Sequence, residues 1–165
     1  MQFTRGTSYD WFYNNLKNAD GTISLRPFID LIWTAIDTSL KNQENSPKPI
    51  LLPRYFIIAE VRKKAVIGHF KDLAQEEGNR DLEIVSSHIS KMAPGHPLKK
   101  IYLKKRDFDS LMSDIIEKNQ SIENREVDKL KDLLIVNGIV AEVPVFGAYL
   151  NYRFAFLYKY FLGLK

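Results

Sequence analysis

The sequence predicts a mostly helical α+β fold, and three patterns carry that expectation. Apolar residues recur at three- and four-residue spacing over most of the chain, Pro and Gly break those stretches apart, and alternating apolar runs appear from Lys99 onward. The most informative tract is Asn124 to Phe156. Val127, Leu130 and Leu134 place one apolar stripe on a helix of about three turns. Asn124 is suited to cap it, with Glu126 in the first turn where the helix dipole favours negative charge. Asn137-Gly138 ends it, since Gly accepts the left-handed conformation that a helix stop needs. Ile139, Ala141 and Val143 then alternate with Val140 and Glu142 and predict a strand buried on the Ile139/Ala141/Val143 side. Pro144 to Ala148 turns the chain, and Leu150, Tyr152, Phe154 and Phe156 line one face of the return. A helix running into a hairpin is the second half of a winged helix.

The preceding chain reads as a helical platform. Tyr9–Leu16 forms a short helix after Ser8, with Trp11, Phe12 and Leu16 facing inward. An Asn18–Gly21 turn follows, then a minimal strand at Thr22–Ser24. Leu25 to about Lys41 is a longer helix that tolerates Pro27 in its first turn, with Phe28, Leu31, Ile32, Ala35 and Ile36 as its inner stripe. Asn42–Pro49 is a polar loop. Pro53–Glu77 is the longest helical candidate, apolar on two sides and therefore central. Leu82, Val85 and Ile89 mark the next helix, which Pro94-Gly95-His96-Pro97 stops. Lys99–Lys105 alternates as the first strand of the winged unit, and Asp107 is placed to cap the helix carrying Phe108, Leu111, Ile115 and Ile116. The expected division is a helical subdomain at 1–97 and a winged-helix-like subdomain at 98–165, packed together.

Composition narrows function by exclusion. The 165 residues, 45% hydrophobic and 27% charged, suit one soluble domain with a sizeable core. No Cys is present, so disulfides and thiolate catalysis are excluded, and a cytoplasmic location is expected. No secretory signal pattern opens the chain, and no apolar run is long enough to span a bilayer. Neither phosphate-cradling glycine motif occurs, and His69, His88 and His96 lack metal-ligand spacing. Asn18-x-Asp20-Gly21 resembles the middle of a calcium loop, but Leu16 and Pro27 stand where ligating carboxylates are required. No catalytic residue, cofactor or metal is expected.

Charge separates the two remaining classes. Glu123–Val136 carries four acids and three bases, on the element that would have to enter a groove lined by phosphates. The turn from Val143 to Asn151 has no Lys or Arg, whereas a DNA-reading wing supplies cations that position it on the backbone. Phe146, Tyr149 and Tyr152 offer instead an aromatic surface for a protein partner, weighed against simple packing beneath the hairpin. The alternative is a winged-helix nucleic-acid binder using Lys99, Lys100, Lys104, Lys105 and Arg106, with Arg62, Lys63 and Lys64 as auxiliaries. Lysines on an edge strand also serve to block unwanted strand pairing.

The order of elements also resembles a known arrangement. Tyr9-Asp-Trp-Phe, Asp20-Gly-Thr-Ile-Ser and Arg26-Pro-Phe-Ile-Asp-Leu-Ile follow one another as in the tract after the nucleotide module of bacterial STAND-like P-loop ATPases. Ala59-Glu-Val-Arg-Lys-Lys and the ending, Leu130 to Val140, the hairpin, Tyr152-Arg-Phe and Tyr158–Leu162, are similar too. Ser24-Leu-Arg-Pro departs from that family's Ser-Pro-Arg, and without a Walker loop no ATPase activity carries over. The resemblance implies a regulatory, partner-sensing region that contacts an ATPase module in cis or in trans. Nothing in the sequence sets the oligomeric state.

Overall fold

A computed structural model describes residues 8–42, 53–145 and 150–165. Its first layer is built from α1 (Ser8–Leu16), α2 (Leu25–Asn42), α3 (Pro53–Phe56) and α4 (Ala59–Gln75). α2 lies along α4, with Leu31 and Ala35 on one helix and Val61, Ala65 and Val66 on the other all buried. Each fully buried Val or Leu contributes about 1.5–3 kcal/mol, so this seam accounts for much of the platform's stability. The single helix expected over Pro53–Glu77 is two. Ile58 is extended (φ −65°, ψ 125°), and its carbonyl accepts from the Arg62 N–H at 3.1 Å to start α4. The break lets α3 turn Tyr55 inward and bring Phe56 edge-on to Phe12 at 5.4 Å and Trp11 at 6.4 Å. The minimal strand after the Asn18–Gly21 turn is a single bridge between Lys17 and Ile23.

The second layer begins with α5 (Asp81–Lys91), whose Leu82, Val85 and Ile89 are all buried as their spacing predicts. Then come β1 (Tyr102–Lys104), α6 (Lys105–Lys118), α7 (Val127–Val136), β2 (Val140–Pro144) and β3 (Leu150–Phe154). The three strands form one antiparallel sheet in the order β1-β3-β2. Neither expected cap is used. α6 starts at Lys105, which leaves Asp107 inside the first turn. Asn124 is recruited elsewhere: the buried Asp81 carboxylate accepts its backbone N–H at 2.8 Å, its side-chain amide at 2.8 Å and the Glu123 N–H at 2.9 Å. This clamp ties the start of α5 to the loop before α7.

The Asn137-Gly138 stop forms as expected. Gly138 has φ +64°, and a Cβ there would meet the Asn18 Cβ at 2.9 Å, so only glycine fits both the turn and the approach. The Ala19 N–H donates to the Gly138 carbonyl at 2.6 Å, joining the Asp-Gly turn to the α7–β2 corner. Asn79 and Asn137 exchange side-chain amide hydrogen bonds at 2.8 and 2.9 Å, which tie the α4–α5 turn to the same corner.

The sheet corrects the expected face of β2. Tyr152 and Phe154 point inward against Phe108 on α6, and their register partners are Glu142 and Val140. Val140 is therefore buried, while Ala141 and Val143 share the outer face with Asn151 and Arg153. After β3 the chain makes a 3-10 turn (Phe156–Tyr158) and α8 (Lys159–Leu162), which docks between α4 and α5. The last residue closes a short ladder: Ile101 N–H donates to the Lys165 carbonyl at 3.0 Å, and Lys165 N–H donates to Lys99 O at 3.2 Å.

Replacing Asp81 by Ala strips the acceptor from three buried or half-buried N–H groups. The expected loss of unfolding free energy is about 3 kcal/mol. Urea denaturation monitored by circular dichroism checks it; a midpoint equal to wild type would show that the clamp does not hold the two regions together.

Candidate functional site

The hairpin carries the sequence-predicted protein contacts, and the structure separates them. Phe146 and Tyr149 lie outside the described residues. Tyr152 is a core residue, 3% exposed, stacked on Phe108 with ring centroids 4.3 Å apart and planes 17° apart. Its hydroxyl donates to Glu142 Oε1 at 3.4 Å, and the Lys131 ammonium lies 5.7 Å from its ring. Tyr152 is therefore withdrawn from the contact surface, because the β3 register that buries Phe154 buries it as well. Val145, at the start of the turn, is exposed.

The helix before the hairpin is more acidic on its surface than its sequence suggests. Lys131 points inward, where its ammonium bonds Asp109 at 3.0 Å and Asp128 at 2.6 Å. Burial alone would lower its pKa, but the two carboxylates outweigh that and raise it. Lys129 pairs with Glu126 at 2.7 Å. The charged groups that α7 turns outward are then Asp128, Lys129 and Asp132, and an exposed Val136 ends the helix.

Two of the eight predicted nucleic-acid contacts are interior groups. Lys99 is 5% exposed, and its ammonium donates to the carbonyls of Ser90 and Met92 at 2.8 and 2.9 Å. It stands at the C-terminal end of α5, where a cation satisfies unpaired carbonyls and complements the helix dipole. Arg62 is also buried. Its guanidinium donates to Asn15 Oδ1 at 2.7 Å and lies 5.6, 5.0 and 4.4 Å from the rings of Trp11, Phe156 and Tyr160. Those contacts bind α1 to the C-terminal segment. Sequence alone could not see this, since Arg62 sits in a run of three cations that reads as a solvated face.

The other six cations are exposed: Lys63 and Lys64 on α4, and Lys100, Lys104, Lys105 and Arg106 around β1. Lys104 shares the outer sheet face with Tyr102, Asn151 and Arg153, and the Asn151 amide donates to the Tyr102 hydroxyl at 2.8 Å. Lys105 and Arg106 border an open hollow of about 700 Å³ that also contains Asp109, Asp114 and Glu117. Three carboxylates among two cations oppose a polyphosphate ligand and suit a surface of mixed charge.

A second hollow of about 320 Å³ holds His88, Asp114 and Asn119. His88 Nε2 is 3.0 Å from Asp114 Oδ2, and its Nδ1 is 3.2 Å from the Asn119 side-chain amide nitrogen. Both ring nitrogens are thus engaged in joining α5 to α6. His69 is half-buried, with the Tyr158 hydroxyl 3.4 Å from its Nε2 and a pKa lowered mainly by burial. Among the described residues no cluster of His, Asp and Glu is arranged to hold a metal.

One surface escaped the sequence reading. Leu25, Ile29, Trp33 and Leu40 are all exposed on α2, outside its inner stripe. The signal was present: α2 has more apolar residues than one buried face can use. No protein-family model matches the chain, and no curated protein or solved structure is significantly similar to it.

The Lys131 pairs give a pH-dependent prediction. Burial pushes the Asp109 carboxyl up, but the hydrogen bonds from Lys105 and Lys131 prevail and hold it below its usual value. A carboxyl depressed in the folded state contributes stability above its unfolded pKa of ~3.9, and that contribution is lost as pH falls through the folded value. Lys131→Met is expected to cost about 1–2 kcal/mol at neutral pH, discounted because Asp109 is partly solvated. The difference from wild type should shrink below pH ~4. Thermal unfolding across that range measures it; a gap independent of pH would remove the ion pair as the cause.

Proposed function

We propose that this chain is a non-catalytic protein-interaction module whose α5–β3 tract is a winged helix used to grip polypeptide. The order helix–strand–helix–helix–hairpin, with the first strand paired to the last, supports the winged-helix reading. In such a unit α7 occupies the position of the recognition helix. The single observation that carries the choice of partner is the outward chemistry of α7: Asp128, Lys129, Asp132 and Val136, with Lys131 turned inside and neutralised. A helix of that charge is repelled by a phosphate-lined groove and matches a protein surface with an apolar spot and scattered cations.

The resemblance to the tract that follows STAND-like nucleotide modules supplies the partner class, an ATPase module in cis or in trans. The Ala19–Gly138 hydrogen bond sets the start of the Asp20-Gly-Thr-Ile-Ser stretch beside the Leu130–Val140 stretch, which supports treating the two as one unit. Control of that partner would come from preferring one of its states, since a bound module shifts an equilibrium only by its difference in affinity. Nucleic acid is the second reading, favoured by one observation: Lys104 and Arg153 flank the exposed Tyr102 on the outer sheet face.

The two readings separate in solution and in the source cell. A photo-crosslinker at Val136 should trap a polypeptide that the same group at Lys71, an exposed residue of α4, does not. Fluorescence anisotropy with duplex and single-stranded DNA at low salt should show no saturable binding up to roughly 100 µM. Binding that falls steeply with salt, and whose slope drops by about one unit in Lys104→Ala, would establish the nucleic-acid reading in its place.

A further inference from the structure

The outward face of α2 is the least explained surface of the molecule. Leu25, Ile29, Trp33 and Leu40 are 73, 48, 67 and 57% exposed, and the half-buried Ile32 and Ile36 lie between them. At ~100° per residue all six fall within an arc of about 100°, and they form a ridge about 22 Å long. No ionised side chain interrupts it. Arg26, Asp30, Asp37 and Lys41 line one flank and are all paired, Arg26 with Asp72 of α4 and with Asp30 at 3.6 Å, and Lys41 with Asp37 at 2.6 Å. The opposite side of α2 is already occupied by α4. A tryptophan two-thirds exposed amid aliphatic residues is the composition of an interface centre and not of an ordinary surface.

We infer that this ridge is where a second copy of the chain packs, with the two α2 helices antiparallel about a two-fold axis between Ile32 and Trp33. The spacing itself points to self-pairing. The apolar positions 25, 29, 32, 33, 36 and 40 are separated by 4, 3, 1, 3 and 4 residues, a series that reads the same in both directions. An isologous contact requires that when one residue meets a second, the second meets the first. On this axis Leu25 meets Leu40, Ile29 meets Ile36 and Ile32 meets Trp33, each pair occurring twice and each wholly apolar. A parallel pair would instead set each side chain against itself and bring the two Trp33 rings to the same level. The four charges that α2 itself carries on this flank sum to zero, and Asp72 beside Arg26 adds one negative charge, so little net charge opposes the approach of two copies. The exposed apolar area is roughly 500 Å² per copy, or about 1,000 Å² for the pair, which reaches the lower bound of specific interfaces. An interface of that size belongs to the weak, reversible class, and its strength rests on how well Trp33 packs at the centre. The contact involves α2 alone and is independent of what α5–β3 grips.

The full-length chain tests this directly. Sedimentation equilibrium from about 5 to 300 µM, a range spanning that affinity class, should show a monomer–dimer equilibrium. Trp33→Asp should weaken it at least tenfold while leaving the circular dichroism spectrum unchanged, and the urea midpoint unchanged at concentrations where wild type is monomeric, because Trp33 is outside the core. The absence of native Cys permits a geometric check. Under mild oxidation Leu25→Cys alone and Leu40→Cys alone should stay uncrosslinked, whereas their equimolar mixture should form a covalent heterodimer. A chain that is monomeric throughout the range overturns the inference. So does a dimer indifferent to Trp33→Asp, or one in which Leu25→Cys crosslinks to itself as readily as to Leu40→Cys.

Discussion

Burial of the C-terminal segment is the constraint on which the two layers depend. Phe154, Ala155, Leu157, Tyr158, Leu162 and Leu164 are all buried, and Tyr158 is completely so. No one element can cover so apolar a run. α1, α4 and α5 all contribute, with the Phe70 ring edge-on to Tyr158 at 6.1 Å and tilted against Phe161 at 4.7 Å. The Tyr158 hydroxyl keeps a polar partner by donating to Asn18 Oδ1 at 3.5 Å, and burial raises its pKa. A segment close in sequence to the sheet is thereby packed into the helical platform, and the N-terminal Asp-Gly turn is held against the α7–β2 corner as a result.

The second organising theme is the fate of cations. Arg62, Lys99 and Lys131 are all inside, each with a different means of compensating its desolvation. Arg62 uses aromatic faces, Lys99 uses the free carbonyls at the end of α5, and Lys131 uses two carboxylates. The excess of four positive charges in the sequence is therefore not displayed in full at the surface. The charges that remain outside around α6 are interspersed with Asp109, Asp114 and Glu117. Net charge predicts non-specific attraction to polyanions only when the cations face solvent, and here three do not.

Helix amphipathicity has the same limit. Periodicity identified an inner stripe on α2, and Leu31 and Ala35 are indeed at its buried seam with α4. Ile32 and Ile36, assigned to that stripe, prove to be half-buried at its border, where they continue into the exposed ridge. A helical wheel shows how wide an apolar arc is but not which part of it a neighbour covers. The long helix expected from Pro53 illustrates a related limit, because Ile57-Ile58 continues the apolar pattern through a break that exists only to bring Tyr55 and Phe56 onto α1 and α2.

The sequence by itself determined the mostly helical α+β class and most of the element order, since these follow from local rules, although the helix expected from Pro53 is two and the strand expected at Thr22–Ser24 is a single bridge. Spacing marked Leu82, Val85 and Ile89 as core, Asn137-Gly138 as a helix stop and Leu150 to Phe156 as a returning strand, which ends at Phe154 because Phe156 begins a 3-10 turn. Tertiary structure decided which polar groups became internal and which face of each element was covered. Asn124 went to Asp81 and not to a helix cap, Tyr152 went to Phe108 and not to a partner, and Val140 replaced Ala141 and Val143 on the buried side. Those outcomes depend on residues dozens of positions apart meeting at hydrogen-bonding or van der Waals distance, and no local pattern records which of them will meet.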